Sequence, residues 1–421
     1  MTTLLFLFYD LCFFPALACM LIAGLASDRG RRFFFQTSRW RNLKERLALG
    51  GAARHARIWV HAASLGEVKA LTKFLTLIKT DPRDLPVHLT CMTDPAVVWA
   101  SANHLRQGLV VSVALAPFDQ SLLMRRYLRS MPGLRALVVI ETEMWPNLIR
   151  CCKQRGLKLF WVNCRLAEGS RKLIGLMPGL FHHLAKSFAA VMTCDTASTR
   201  LFKDAGVALA DLSQPGNMKW DSVPAQPSPA SARQARQQAG VMDGDFLFVA
   251  ASTRPGEESV VFDAFAALRE ACPRLRLLVA PRHIERADAL RRELASRGLA
   301  GTVIGEFGRL EDLYVAASAV FVGGTLLPSY GGHNFLEPAA IGRAVMIGPY
   351  FSHFQDAGEA LIAHKAVAVV RDAAQMSVAL RTWIDDIVDR ETYARRARES
   401  FLGLGGASQT AWRKISSELA V

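Results

Sequence analysis

ARIWVHAASLGEVKALTKFLTLIKT (56–80) sets a pattern that recurs through most of the chain. ARIWVHAA is a short apolar run rich in β-branched and aromatic residues, the signature of a strand, and EVKALTKFLTLIKT then reads as a helix. VHLTCMT (87–93), RALVVIET (135–142), LKLFWVNC (157–164) and AAVMTCD (189–195) continue the strand series. Strands alternating with helices imply a parallel sheet covered on both faces, and such sheets receive ligands at the carboxyl ends of their strands. A second series follows in DFLFVAAST (245–253), LRLLVAPRH (275–283), AVFVGGT (319–325) and RAVMIGPY (343–350). Between the two lies SVPAQPSPASARQARQQA (222–239), rich in Pro, Ser, Ala and Gln, which reads as a linker.

A chain of 421 residues exceeds what one hydrophobic core ordinarily organises, in keeping with two α/β halves. The fold class predicted is α/β, with two doubly wound Rossmann-like domains behind an N-terminal hydrophobic anchor helix. The boundaries expected are 1–28 for the anchor, 29–221 for the first domain, 222–239 for the linker and 240–421 for the second domain. With 51% hydrophobic and 21% charged residues, the composition excludes a disordered chain. A net charge of +14 predicts attraction to polyanions. No nucleic-acid-binding signature is recognisable along the chain, so anionic lipid and phosphate are preferred over nucleic acid. The eight cysteines form no CxxC pair and have no His at zinc-ligand spacing, so they read as small buried hydrophobes and not as metal ligands.

TLLFLFYDLCFFPALACMLIAGLAS (3–27) is apolar except for Asp10 and about long enough to cross a bilayer core. No Lys or Arg precedes it, which favours an anchor over a cleaved signal peptide, while Asp10 weakens the case for a full span. Arg29, Arg31, Arg32, Arg39, Arg41, Lys44 and Arg46 follow directly, interspersed with Phe33, Phe34, Phe35 and Trp40. Cations mixed with aromatics suit an anionic lipid interface, and the positive-inside rule then places the rest of the chain in the cytoplasm. A buried helix followed by a solvated basic helix is the alternative.

HAASLGEV (61–68) joins a strand to a helix and places Glu67 at a strand's carboxyl end. Ser64 and Glu67 also fit a capping box, in which the carboxylate merely satisfies backbone N–H groups. In the second half, AASTRPGEE (250–258), APRHIER (280–286) and GGTLLPSYGGHNFLEP (323–338) set glycines, hydroxyls and basic groups just after strands, where backbone N–H groups and Arg can hold phosphate. Asn334 with Glu337 fits a helix cap equally well.

Taken in order, HAASLGEV, ETEMWPN (141–147), VNCRLAEGS (162–170), GNMKWD (216–221), STRPGEE, PRHIER and GGHNFLEP resemble the Kdo transferases of lipopolysaccharide synthesis, where Kdo is 3-deoxy-D-manno-octulosonic acid. The resemblance runs over nearly the whole chain. Two doubly wound halves with a cleft between them also suggest, by analogy of fold, the glycosyltransferase-B architecture. The resemblance implies a metal-independent, inverting transfer of Kdo from the donor substrate CMP-Kdo to a lipid A precursor (lipid IVA), at the cytoplasmic face of the inner membrane and with no further cofactor. Glu67 matches the family's general base. Glu141, Glu143 and Lys219 match segments that support the transition state, with the choice between the two Glu residues open. Ser252 and Thr253, in the STRPGEE segment, are candidate nucleotide-binding residues. Arg282 and His283 match residues that bind CMP, Phe307, Gly308 and Arg309 correspond to a nucleotide-contacting Met-Gly-Glu stretch, and Asn334, Phe335, Leu336 and Glu337 match the loop and helix start around the nucleotide. Departures occur at Arg254 and Pro255, where His and Glu are usual, at Thr325, where Ser is usual, and at Arg309. Two rival readings remain: a lipid-linked transferase using a UDP-sugar, and a non-catalytic scaffold that binds anionic lipid.

Overall fold

The computed structural model describes residues 6–15, 18–19, 39–50, 54–166, 175–204, 206–208, 211–222, 224–306 and 308–420. The chain divides into two compact units, one of residues 1–222 with 405–421, the other of residues 223–404.

The first unit carries a seven-stranded parallel sheet, formed by β1 (Ile58–His61), β2 (Val87–Cys91), β3 (Ser112–Leu115), β4 (Ala136–Ile140), β5 (Lys158–Cys164), β6 (Ala190–Thr193) and β7 (Leu212–Ser213), in the order β3-β2-β1-β4-β5-β6-β7. Consecutive side chains of a strand face opposite ways. Ile58 and Val60 therefore enter one core layer with Leu71, Phe74 and Val138, while Trp59 enters the other with Leu137, Trp161 and Phe202. Burial on both faces is why these strands read as unbroken apolar runs and not as alternating ones.

The second unit repeats the plan with six parallel strands, β8 (Phe246–Thr253), β9 (Leu275–Pro281), β10 (Gly301–Val303), β11 (Ala319–Val322), β12 (Ala344–Ile347) and β13 (Val367–Val369), ordered β10-β9-β8-β11-β12-β13. Phe248, Phe262, Phe321 and Trp383 are among its largest core side chains. The strand order reverses at β1/β4 in the first sheet and at β8/β11 in the second. Chain crossovers leave on opposite faces at such a point and open a crevice beyond the strand ends.

Two expected boundaries are corrected. Within 222–239 a helix runs from Pro229 to Gln238, with Ser228 as its N-cap accepting from the Ser231 N–H at 3.1 Å. Proline in the first turn after a serine cap starts a helix, and Ala, Gln and Arg are good helix formers, so only the first residues of the segment are irregular. Residues 405–421 belong to the first unit and not the second. The helix Ala407–Leu419 buries Trp412 and Ile415 against Phe74 and its neighbours, and the Asp221 carboxylate accepts from the N–H groups of Gly406, Ala407 and Ser408 at 2.6, 3.1 and 2.6 Å.

At the N-terminus, residues 6–15 are helical, and most of the remaining residues of the expected anchor lie outside the described residues. No helix among the described residues is long and apolar enough to cross a membrane. Phe6 is buried in the first unit's core, whereas Leu7, Phe8, Leu11 and Phe14 are exposed. Cysteines 91, 151, 152, 164, 194 and 272 are buried free thiols, and Cys12 and Cys19 are exposed.

Candidate active site

In the first unit the site is built on the ends of β1, β4 and β5. After β1 the chain turns at Ser64 into the short helix Leu65–Ala70. Glu67, only 8% exposed, accepts from the Ser64 hydroxyl at 2.7 Å and from the Ala63 N–H at 2.7 Å, while its own N–H donates to Ser64 Oγ at 3.3 Å. The capping arrangement is therefore formed. Burial raises the pKa of this carboxyl above its usual 4.5, the bonds from Ser64 and Ala63 oppose the rise, and the charges of Glu141 and Glu143 add to it. A cap alone requires neither of those two acidic neighbours.

Glu141 follows β4 with φ of +56°, a left-handed conformation unfavourable for a side chain other than Asn, Asp or Gly. Its backbone is fixed on both sides, the N–H donating to Val162 O at 3.1 Å and the carbonyl accepting from the Trp161 indole at 2.6 Å. Its carboxylate pairs with Lys219 Nζ at 2.6 Å. Asn163, also left-handed with φ of +54°, sits at an irregularity in the pairing of β5 with β6. It donates to Glu141 Oε1 at 3.4 Å and accepts from the Met218 N–H at 2.8 Å, which ties the turn bearing Lys219 to the acidic loop. Glu143 accepts from the Trp145 indole at 2.5 Å and lies 3.4 Å from His61 Nε2. Burial alone would raise the Glu143 pKa, but bonding and charge from His61, with the Trp145 bond, overcome it and leave the value below the ordinary one. Glu67, Glu141, Glu143 and Lys219 are thus brought into one neighbourhood. Burial holds one carboxyl up while hydrogen bonding holds another down, the kind of divergence that separates acid from base roles.

In the second unit the loops after β8, β9 and β11 converge. Arg254 Nε donates to His333 Nε2 at 3.0 Å, its Nη1 lies 2.7 Å from His283 Nε2, and its guanidinium sits 5.0 Å from the centroid of the Tyr330 ring. His333 is pushed down to about 4 by burial and then by the charges of Arg254, Arg282, His353 and His283, so it is neutral and accepts from Arg254. Gly324, with φ of +72°, backs the His333 ring, and a Cβ there would stand 2.8 Å from His333 Cδ2. Arg282 is exposed; its N–H donates to Thr253 O at 3.0 Å, while its guanidinium makes no hydrogen bond or ion pair among the described residues. The Arg254 and Arg282 guanidinium groups, at the ends of β8 and β9, form a surface suited to an anion.

The other expected residues of this unit divide by what their side chains do. Ser252, with φ of +53° at an irregularity between β8 and β9, is half-buried and makes no side-chain hydrogen bond among the described residues. Thr253 is corrected as a side-chain ligand: it is fully buried, and its hydroxyl donates to Glu258 Oε1 at 3.0 Å. Phe335 and Leu336 are fully buried, Phe335 against Phe351 and Phe354, so they are corrected as side-chain contacts to a ligand. Asn334 Oδ1 accepts from the Leu336 N–H at 3.2 Å and its Nδ2 donates to Glu337 Oε1 at 2.9 Å, which realises the capping alternative while leaving Glu337 exposed. Arg309 pairs with Glu306 and Asp312 at 3.5 and 3.9 Å, next to a left-handed Gly308, and Phe307 lies outside the described residues.

The family profile described as 3-Deoxy-D-manno-octulosonic-acid transferase (kdotransferase) matches residues 41–222. The 3-deoxy-D-manno-octulosonic acid transferase of Bordetella pertussis is 31% identical over 343 residues, covering 76% of this chain and 77% of that protein. This chain belongs to the Kdo transferase family. The enzyme of the same name from Chlamydia muridarum is 25% identical over 377 residues, 86% of each chain. Among solved structures, a glycosyltransferase from Rickettsia africae aligns with a TM-score of 0.63 at 10% identity, over 87% of this chain and 99% of that one. Anabaena Alr3699/HepE in complex with UDP aligns with a TM-score of 0.60 at 15% identity, again over 87% and 99%. These two likenesses establish the fold, two parallel-sheet α/β domains of the glycosyltransferase-B kind. Membership of the Kdo transferase family makes the chain a glycosyltransferase.

Several structural residues of this Kdo transferase were not singled out from its sequence. Glu257 is fully buried and accepts from four backbone N–H groups, those of Arg254, Gly324, Thr325 and Leu326, at 2.9, 2.7, 3.0 and 2.9 Å. It fastens the loop after β8 to the loop after β11. Glu258 receives the Thr253 hydroxyl and the Arg286 guanidinium. The doubled acid in STRPGEE was the available signal, because two adjacent carboxylates opening an apolar helix need buried partners. Thr325 donates to Val322 O at 2.6 Å and accepts from the Gly348 N–H at 2.8 Å, work that a Ser hydroxyl would also do.

Proposed function

We propose that this Kdo transferase moves Kdo from CMP-Kdo to a glucosamine hydroxyl of a lipid A precursor (lipid IVA) by inverting, metal-independent displacement at the cytoplasmic face of the inner membrane. The acceptor oxygen attacks the anomeric carbon as the bond from that carbon to the CMP phosphate breaks. The acceptor proton passes to Glu67, and CMP leaves with the bonding electron pair. Inversion in one step needs a single base and no covalent intermediate.

The observation that carries this reading is the grouping of buried Glu67 with Glu141, Glu143 and Lys219. Two hydrogen bonds fix the direction of the Glu67 carboxylate, and its raised pKa brings its basicity nearer the working pH, which suits a general base. Lys219 offers a cation for the donor's carboxylate or the departing phosphate, and Glu141 or Glu143 supports the charge that develops on the sugar. In the second unit, Arg282, His283 and Arg254 suit the CMP phosphate, the Ser252 hydroxyl and the Gly308 backbone offer further contacts, and Glu337 suits the ribose hydroxyls. The basic residues after the N-terminal apolar run, with the exposed apolar face of 6–15, support attachment to anionic lipid.

Transfer from CMP-Kdo to tetra-acylated precursor, followed by mass spectrometry in the presence of a chelator, tests the reaction. CMP at about 100 times its Kd is expected to stabilise the protein by about 2.7 kcal/mol, seen as a rise in Tm, and UDP is expected to leave Tm unchanged. Equal protection by both nucleotides, or a requirement for divalent metal, would count against the proposal.

A further inference from the structure

The helix Pro146–Gln154 begins immediately after the acidic loop, and the first N–H groups of any helix lack partners within it. Trp145, at the N-cap position, supplies no side-chain cap. Asp119, arriving from another loop and 6% exposed, takes that role: Oδ2 accepts from the Asn147 N–H at 3.0 Å and Oδ1 from the Leu148 N–H at 2.7 Å. Carboxylates are favoured at a helix start, where the backbone dipoles present positive charge.

Asp119 is itself held by the N-terminal helix. Tyr9 donates its hydroxyl to Asp119 Oδ2 at 3.0 Å. Asp10 Oδ1 accepts from the Ser121 N–H at 3.0 Å and from Asn147 Nδ2 at 2.9 Å. Phe6 is buried in the same unit, with the Arg150 guanidinium 4.5 Å from its ring centroid. Phe6, Tyr9, Asp10 and Phe13 lie on one helical face at spacings of three, four and seven, and Phe13 meets Phe118 at 5.7 Å. The one acid in an otherwise apolar run is thus spent on Asn147, a residue of the segment that carries Glu141 and Glu143.

We propose that Tyr9 and Asp10 are positioning residues for transfer, in that they complete the Asp119 cap and hold the 141–147 segment in its working geometry. The inference rests on the catalytic reading of Glu141 and Glu143 given above. It makes residues 6–15 a working part of the acceptor-side domain as well as a membrane tether.

The test uses the full chain with detergent-solubilised acceptor, so that membrane attachment does not limit the rate, at a temperature well below every variant's Tm. Asp10→Ala and Tyr9→Phe are each expected to lower kcat about tenfold while KM for CMP-Kdo stays within about twofold, because misplacement of a catalytic loop costs rate and not donor binding. Asp10→Asn keeps the carbonyl oxygen that accepts from Ser121 and Asn147, and should restore most of the rate. Unchanged kcat in Asp10→Ala and Tyr9→Phe, a loss confined to KM for the acceptor, or an Asp10→Asn variant as slow as Asp10→Ala would overturn the inference. An active wild type with unimpaired variants removes this inference alone, whereas a wild type that transfers nothing from CMP-Kdo removes the function proposal and this inference together.

Discussion

Glu67 is at once the cap of a helix and the proposed base, and the two roles separate by substitution. Glu67→Gln keeps an oxygen for the Ala63 N–H and an amide for Ser64, but its amide cannot accept the acceptor's proton. Turnover should fall by at least about a hundredfold while CMP binding is kept. Because the folded pKa of Glu67 is raised, the folded state binds its proton more tightly than the unfolded chain does. The stabilisation from this group is full below the unfolded value and is lost as pH rises through the folded one, so the neutral Gln variant should melt no lower than wild type at pH 7. The acid limb of kcat/KM should lie above 4.5, since the base must ionise to act. Persisting turnover in Glu67→Gln would remove the residue from its role. At Glu257 the logic is the opposite, for its carboxylate holds four backbone donors and touches no proposed substrate. Glu257→Ala leaves buried donors unmade and should cost roughly 3 kcal/mol or more, read as a drop in the midpoint of denaturant unfolding. A variant as stable as wild type would show that water replaces the carboxylate without loss.

At the scale of elements, nine strands were legible because a strand between two helical layers is an unbroken apolar run. The four that were not, β3, β7, β10 and β13, are the outermost strands of their sheets. β3 is mostly half-buried and the others are two or three residues long, so each carries too little apolar pattern to read. Motif segments told where loops converge, since HAASLGEV and ETEMWPN follow adjacent strands β1 and β4 at the switch point. They did not tell which side chains are absorbed by packing, as the buried Thr253, Phe335 and Leu336 show. Nor could they show that Asp10 has a partner more than a hundred residues away, which turns a uniform apolar run into a helix with one docked and one free face. The exposed residues Leu7, Phe8, Leu11 and Phe14 make up the free face. If that face enters lipid, Leu7→Glu with Leu11→Glu should weaken co-sedimentation with anionic vesicles about tenfold or more, given the roughly 1.5–3 kcal/mol gained by burying a leucine. Undiminished co-sedimentation would shift attachment to the basic segment alone.

Across the whole molecule, the two units differ in how the chain closes them. The first is discontinuous, since the helix Ala407–Leu419 returns to it after the entire second unit has been built. It fills the core with Trp412 and Ile415 and meets the Asp221 carboxylate directly after the segment that carries Lys219. A chain ending at Leu404 would strip those side chains from the core and leave Asp221 without the three donors, a loss of about 4 kcal/mol or more in the first unit. The second unit is continuous and holds Arg254, Arg282, His283 and His333 within itself. Residues 223–404 made alone are therefore expected to fold and to bind CMP within about tenfold of the full chain's affinity, whereas residues 1–404 should lose transfer and unfold at lower denaturant. Titration calorimetry on the first and denaturant melts on the second would measure both. A second unit that folds yet ignores CMP would mean that its converging cations do not suffice for the nucleotide.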